Sequence, residues 1–178
     1  MTKIVKLCLL IIFTSILSSC SSADVSAYKE TTPDFNFKRF FSGKLKAYGV
    51  VQDYSGDLVR KLVVDMDASW QGNKGTIKED FIYDDGETQQ RTWYITINDD
   101  NTITGTADDV IGTARGQSSG GVFHWQYDVE LAYDDSMVEV HFDDWMYLIS
   151  DDRLINRTSI NKLGLQVAEL TLSIEKVK

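Results

Sequence analysis

The sequence predicts an all-β protein, an antiparallel meander of about eight to ten strands closed into a barrel. Two observations carry this. Over residues 60–70 (RKLVVDMDASW), Leu62, Val64, Met66, Ala68 and Trp70 alternate with Lys61, Val63, Asp65, Asp67 and Ser69, which is the period of two of a half-buried strand. The same alternation returns over 77–83, 93–97, 123–131, 138–148 and 168–174. Turn-forming clusters separate these runs: Gln71-Gly72-Asn73, Asp84-Asp85-Gly86, then 98–101, 133–136 and 150–152. Segments 44–52 and 102–112 complete the series. Beyond Pro33, the single proline, no stretch sustains a helical period, although 35–41 has room for a short helical turn. A meander with one apolar face must close on itself or fold into a sandwich to hide its edges. A barrel is predicted, with a β-sandwich as the alternative.

The first residues form an address. Lys3 and Lys6 precede an apolar run over 7–17, the make-up of a signal peptide and too short for a bilayer span of about 20 residues. Leu17-Ser18-Ser19-Cys20 then matches the lipobox of bacterial lipoproteins. The expected organisation is a lipoprotein signal peptide over 1–19, a lipidated Cys20 with a flexible tether over 20–34, and a β-barrel domain over 35–178. Acyl chains on Cys20 would anchor the protein to a membrane without a spanning helix. Ser21, in place of an aspartate after the cysteine, points to the outer membrane of a Gram-negative envelope, facing the periplasm. Cys8 leaves with the signal and Cys20 carries lipid, so no disulfide is expected. Loss of Lys3 and Lys6 takes the net charge from −9 to −11, which argues against a nucleic-acid partner.

Four charged residues fall on the apolar parity: Arg60 with Leu62, Glu79 with Ile77 and Phe81, Arg91 with Trp93, and Asp144 with Phe142 and Met146. Isolated charges in a core cost several kcal/mol each, so these must be paired or wet. Glu79 and Arg91 flank the Asp84-Asp85-Gly86 turn at similar distances, and a hairpin would set them side by side. One reading puts these charges at strand ends and in salt bridges. The other lines a cavity with them and with Trp70, Trp93, Trp125 and Tyr127, a small-ligand site inside the barrel. A fatty-acid-like ligand would suit an arginine at its floor.

No catalytic residue, cofactor or metal is indicated. His124 and His141 fall on the polar face without zinc or triad spacing. Gly116-Gln117-Ser118-Ser119-Gly120 spells G-x-S-x-G but lacks the strand-turn-helix setting, and is expected to be a flexible Gly/Ser loop. Asn156-Arg157-Thr158 is a glycosylation sequon by letter only.

The stretch 40–49 resembles the lipocalin entry, a helical turn before a Gly-containing first strand. Residues 79–86, Arg91-Thr92-Trp93, 105–112, 143–148 and Asn156-Arg157 together resemble a bacterial lipoprotein family known as domain of unknown function 3833. The resemblance implies a lipid-anchored envelope protein with a lipocalin-like barrel, no assigned activity, and a lipid connection through neighbouring genes for fatty-acid-modifying enzymes. It adds emphasis to Arg60, Glu79, Arg91, Asp144 and Arg157. The expected function is binding of a small hydrophobic or lipid-like ligand. The alternatives are a lipid isomerase or hydrolase using a buried carboxylate, or a structural or assembly role in the envelope.

Overall fold

The alternation is realised as strands in a computed structural model that describes residues 23–133 and 136–178. The expected signal peptide, Cys20 and the first part of the tether lie outside the described residues, as do Asp134 and Asp135. Ten strands follow in order: β1 (Gly43–Asp53), β2 (Leu58–Gln71), β3 (Lys74–Tyr83), β4 (Thr88–Ile97), β5 (Ile103–Thr106), β6 (Val110–Ser119), β7 (Val122–Tyr133), β8 (Ser136–Ser150), β9 (Arg153–Lys162) and β10 (Leu165–Lys176). Each pairs antiparallel with the next, and β10 returns to β1 from Leu45↔Lys176 to Asp53↔Ala168, closing the barrel. Among the described residues no sheet edge is left open for another chain to pair with.

Three strand expectations are corrected. Segment 102–112 is two strands, broken at 107–109, where the Val110 N–H donates to the Ala107 carbonyl at 3.1 Å; Asp108-Asp109 favours that turn over extended chain. Residues 116–119, expected as a loop, complete β6. A Cβ on Gly116 would lie 2.3 Å from Trp125 and 2.4 Å from Phe123, so the glycine makes room for two large rings rather than for flexibility. Strand β9 had no apolar signal, because two of its inward positions are Asn156 and Thr158, both buried.

One end of the barrel is plugged. Asn36 caps the short helix α1 (Phe37–Phe40), its side chain accepting from the Arg39 N–H at 2.8 Å. Around α1, Phe35 and Phe37 place their rings 5.7 and 4.9 Å from that of Phe123, and Phe35, Phe37, Phe40 and Phe41 are all buried. The inward faces of the strands, with Leu45, Val64, Val129 and Leu154, continue this core. The other end, ringed by the β1–β2, β3–β4, β5–β6 and β9–β10 connections, carries no such plug among the described residues. Its inner residues Val51, Phe81, Tyr83 and Leu170 are only half-buried.

The segment expected as a free tether is docked from Val25 onward. Val25–Tyr28 forms a 3-10 turn with Val25 buried. The Gly121 N–H donates to Thr31 Oγ1 at 2.9 Å, and the Phe35 N–H donates to the Gly120 carbonyl at 2.7 Å. Tyr28 lies 5.9 Å from Trp145 and 6.1 Å from Tyr147 on the outer wall. Apolar and aromatic residues in a polar stretch, Val25 and Tyr28, supply the contacts that the composition alone concealed.

Candidate functional site

Parity delivers the core of the site. The β3–β4 register sets Glu79 opposite Arg91, and the β7–β8 register sets Asp144 opposite Trp125. These side chains turn into the barrel, where a cavity of about 90 Å³ is lined by Glu79, Arg91, Asp144, Trp93, Trp125 and Thr158 among others. That is the space of a few water molecules at about 30 Å³ each, smaller than the roughly 300–1,000 Å³ of common ligand pockets.

The cations facing inward are already engaged. Arg91 donates from Nε to Asp109 Oδ1 and Oδ2 at 3.1 and 3.0 Å, and from Nη2 to Oδ2 at 2.5 Å. Asp109 sits in the β5–β6 turn, so this ion pair ties β4 to the connection that the sequence had read as strand. Burial works against the Arg91 charge, but Tyr127, Glu79 and Asp109 more than offset it and its pKa rises. Nearer the open end, Arg60 stacks 3.6 Å from the Tyr83 ring centroid. It donates to Asp85 at 2.7 Å and to Glu87.

The inward acids are placed differently. Neither Glu79 nor Asp144 has a salt bridge of its own among the described residues. Burial pushes the Glu79 carboxyl up to about 7, with Asp109 and Asp144 adding to the rise and Arg91 and the Trp93 indole opposing it. Asp144 is 4% exposed. It accepts from the Thr158 hydroxyl and from the Asn156 amide at 3.4 Å. Burial raises its pKa, against the pull of Thr158, Tyr127, Asn156 and Arg91. Tyr127, buried beside it, is raised well above the usual phenol range by desolvation and by the Asp144 carboxylate.

Of the residues expected at the site, Glu79, Arg91, Asp144, Trp93 and Trp125 line the cavity, Tyr127 backs Asp144, and Arg60 stands toward the mouth. Two are corrected. Trp70 belongs to the plugged end, where its indole N–H donates to the Phe41 carbonyl at 2.6 Å. Arg157 faces outward and pairs with Glu169 at 2.6 Å; it has the parity of Ile155, not of Leu154. Asp109, Asn156 and Thr158 were missed. For the last two a signal existed: they alternate with Arg157 between Leu154 and Ile160, so the apparent sequon is an inward polar pair.

On the outer wall, His124 meets Asp143 at 2.6 Å and stacks on Trp145, and His141 meets Asp128 at 2.7 Å. No group of His, Cys, Asp or Glu among the described residues is arranged to hold a metal ion. A wider depression of about 650 Å³ lies outside β2 to β6, lined by Ser69, Lys74, Thr76, Tyr94, Thr104 and Thr106 among others. It gathers no buried charge, so the interior is the candidate site.

The architecture defines a lipocalin-like β-barrel with a polar cluster at its centre. The chain belongs to the family described as Protein of unknown function (DUF3833), whose sequence profile matches residues 14–176. Among solved structures, the S-type phycobiliprotein lyase CPES from Guillardia theta is similar at a TM-score of 0.58 and 8% identity, over 77% of this chain and 88% of that one. Lobster apocrustacyanin A1 aligns at a TM-score of 0.42 and 16% identity, over 89% and 72% of the two chains. At 8% identity the likeness to the lyase concerns the fold alone. No curated protein matches the chain in sequence.

Proposed function

We propose that this protein is a lipid-anchored component of the bacterial envelope, held through Cys20 on the periplasmic face of the outer membrane, whose barrel binds a small hydrophobic or lipid-like molecule. The observation that carries this reading is the placement of Glu79 and Asp144 on an aromatic-walled free space. Stability alone would be better served by apolar side chains there, since unpaired acids in a core are costly. Their presence there fits a site that a ligand completes. The free space accommodates a head group, and an attached chain extends toward the open end, displacing the half-buried Phe81 and Leu170.

Native mass spectrometry of gently purified, unlipidated protein tests this: a bound small molecule is expected, and a consistently empty barrel with no thermal shift across a panel of amphiphiles would leave only a structural role. Anchoring is tested separately by labelling cells with a radioactive fatty acid, with incorporation expected in wild type and lost in Cys20→Ser. A second reading, a lipid isomerase or hydrolase, draws on a Glu79 pKa of about 7, the poise of a general acid or base at neutral pH. Equal lipid turnover by wild type, Glu79→Gln and Asp144→Asn would end it.

A further inference from the structure

Resting on the ligand-binding reading above, we infer that the barrel selects a cationic head group, an amine or ammonium on an apolar chain, and discriminates against a carboxylate. The argument is a comparison of what the inward charges already hold. Arg91 is engaged in a forked pair with Asp109, while Arg60 gives Nη2 to both Asp85 and Glu87 and leaves its buried Nε without a partner, so each inward arginine is matched in charge by acid before any ligand arrives. An incoming carboxylate would have to displace Asp109 from a forked geometry that is among the stronger side-chain pairs, and it would then stand beside Glu79 and Asp144. An incoming ammonium meets the opposite situation. Glu79 lines the cavity with no salt bridge, and Asp144 offers a carboxyl held in place by Thr158 and Asn156.

The walls and the rim agree with this polarity. Trp93 and Trp125 meet edge to face at 5.7 Å on the cavity wall, and indole faces attract cations, the more strongly where water is excluded. Above the site, the β3–β4 and β5–β6 connections carry Asp84, Asp85, Glu87 and Asp108, against Arg60 and Lys61 nearby. Across the same open end, the β1–β2 and β9–β10 hairpins expose Tyr54, Leu58, Leu163 and Leu165. β1 and β10 are paired neighbours, so these apolar side chains share one side of the mouth, where a ligand's chain can lie. A mouth that is acidic on one side and apolar on the other, over a centre with unmatched acid, fits a cationic amphiphile.

The test uses octylamine, octanol and octanoate, which share a chain and differ in head group, titrated in mildly alkaline buffer and followed by tryptophan fluorescence. Octylamine is expected to bind at least about tenfold tighter than octanol, the equivalent of about 1.4 kcal/mol, with octanoate weakest. Glu79→Gln is expected to bring octylamine down to the level of octanol, and a cooperative thermal melt no lower than that of wild type will show that the variant is folded. Since the ranking is read first on wild type, it does not depend on any variant folding. Octanoate binding as tightly as octylamine would overturn the charge assignment while leaving a ligand-binding barrel. An amine preference undiminished in folded Glu79→Gln would also overturn it, by placing the cation elsewhere on the acidic surface. Binding of none of the probes, together with an empty barrel in native mass spectrometry, would overturn the ligand-binding reading and this inference with it.

Discussion

Glu79 couples the interior to pH. In the unfolded chain its carboxyl titrates near 4.5, and in the barrel burial holds it near 7. Between those values the folded protein keeps a proton that the unfolded chain has released, so stability falls as pH rises through this window. At about 1.4 kcal/mol per unit, the loss is on the order of 3 kcal/mol above pH 7. Glu79→Gln is therefore expected to flatten the decline and to exceed wild type in stability in neutral and alkaline buffer, as read from urea midpoints across a pH series. Asp109→Asn should act in the other direction, by about 3 kcal/mol, because it leaves the Arg91 guanidinium inside without its carboxylate. Side-chain parity made Glu79, Arg91 and Asp144 legible before any coordinates. It could not reveal Asp109, which reaches Arg91 from a turn, and it was not applied to Arg157, which entered through a resemblance and faces solvent.

At the scale of elements, β6 and the N-terminal segment show where local signals and packing part company. Gly116 reads as loop punctuation, yet it is the gap into which Trp125 and Phe123 fit. Gly116→Ala is expected to cost at least about 1–3 kcal/mol, the penalty of overpacking a filled core, measured as a lowered denaturant midpoint. The helical turn at 37–40 falls inside the 35–41 stretch that the sequence left open for one. Phe37→Ala should cost about 3–5 kcal/mol, since its ring contacts Phe41, Trp70 and Phe123 together. Long alternating strands such as β2 and β8 were legible for the same reason that they are stable: every second side chain meets the core. β9 was not, because its inward face turns polar where the candidate site needs donors for Asp144.

For the whole molecule, the described chain starts at Ala23 beside the plugged half of the barrel, where Val25 lies among Asp100, Thr102, Arg115 and Gln117. Cys20 is three residues further back in sequence, a reach of about 10 Å. If Cys20 carries the anchor, as proposed, the plugged half stays near the membrane and the mouth points away from it. Spin labels placed through Asp100→Cys and Leu163→Cys in vesicle-bound, lipidated protein should show the first close to the bilayer and the second far from it. Under the proposed anchoring, such an orientation would turn the mouth away from the bilayer, where a ligand would be taken up or handed on.

All of this depends on acids that face a free space inside the barrel, and the titration of the Glu79 side-chain carboxyl by carbon NMR measures that directly, with Glu79→Gln identifying the resonance. A midpoint near 7 is expected. A midpoint near 4.5, the value of a glutamate in open water, would contradict the account.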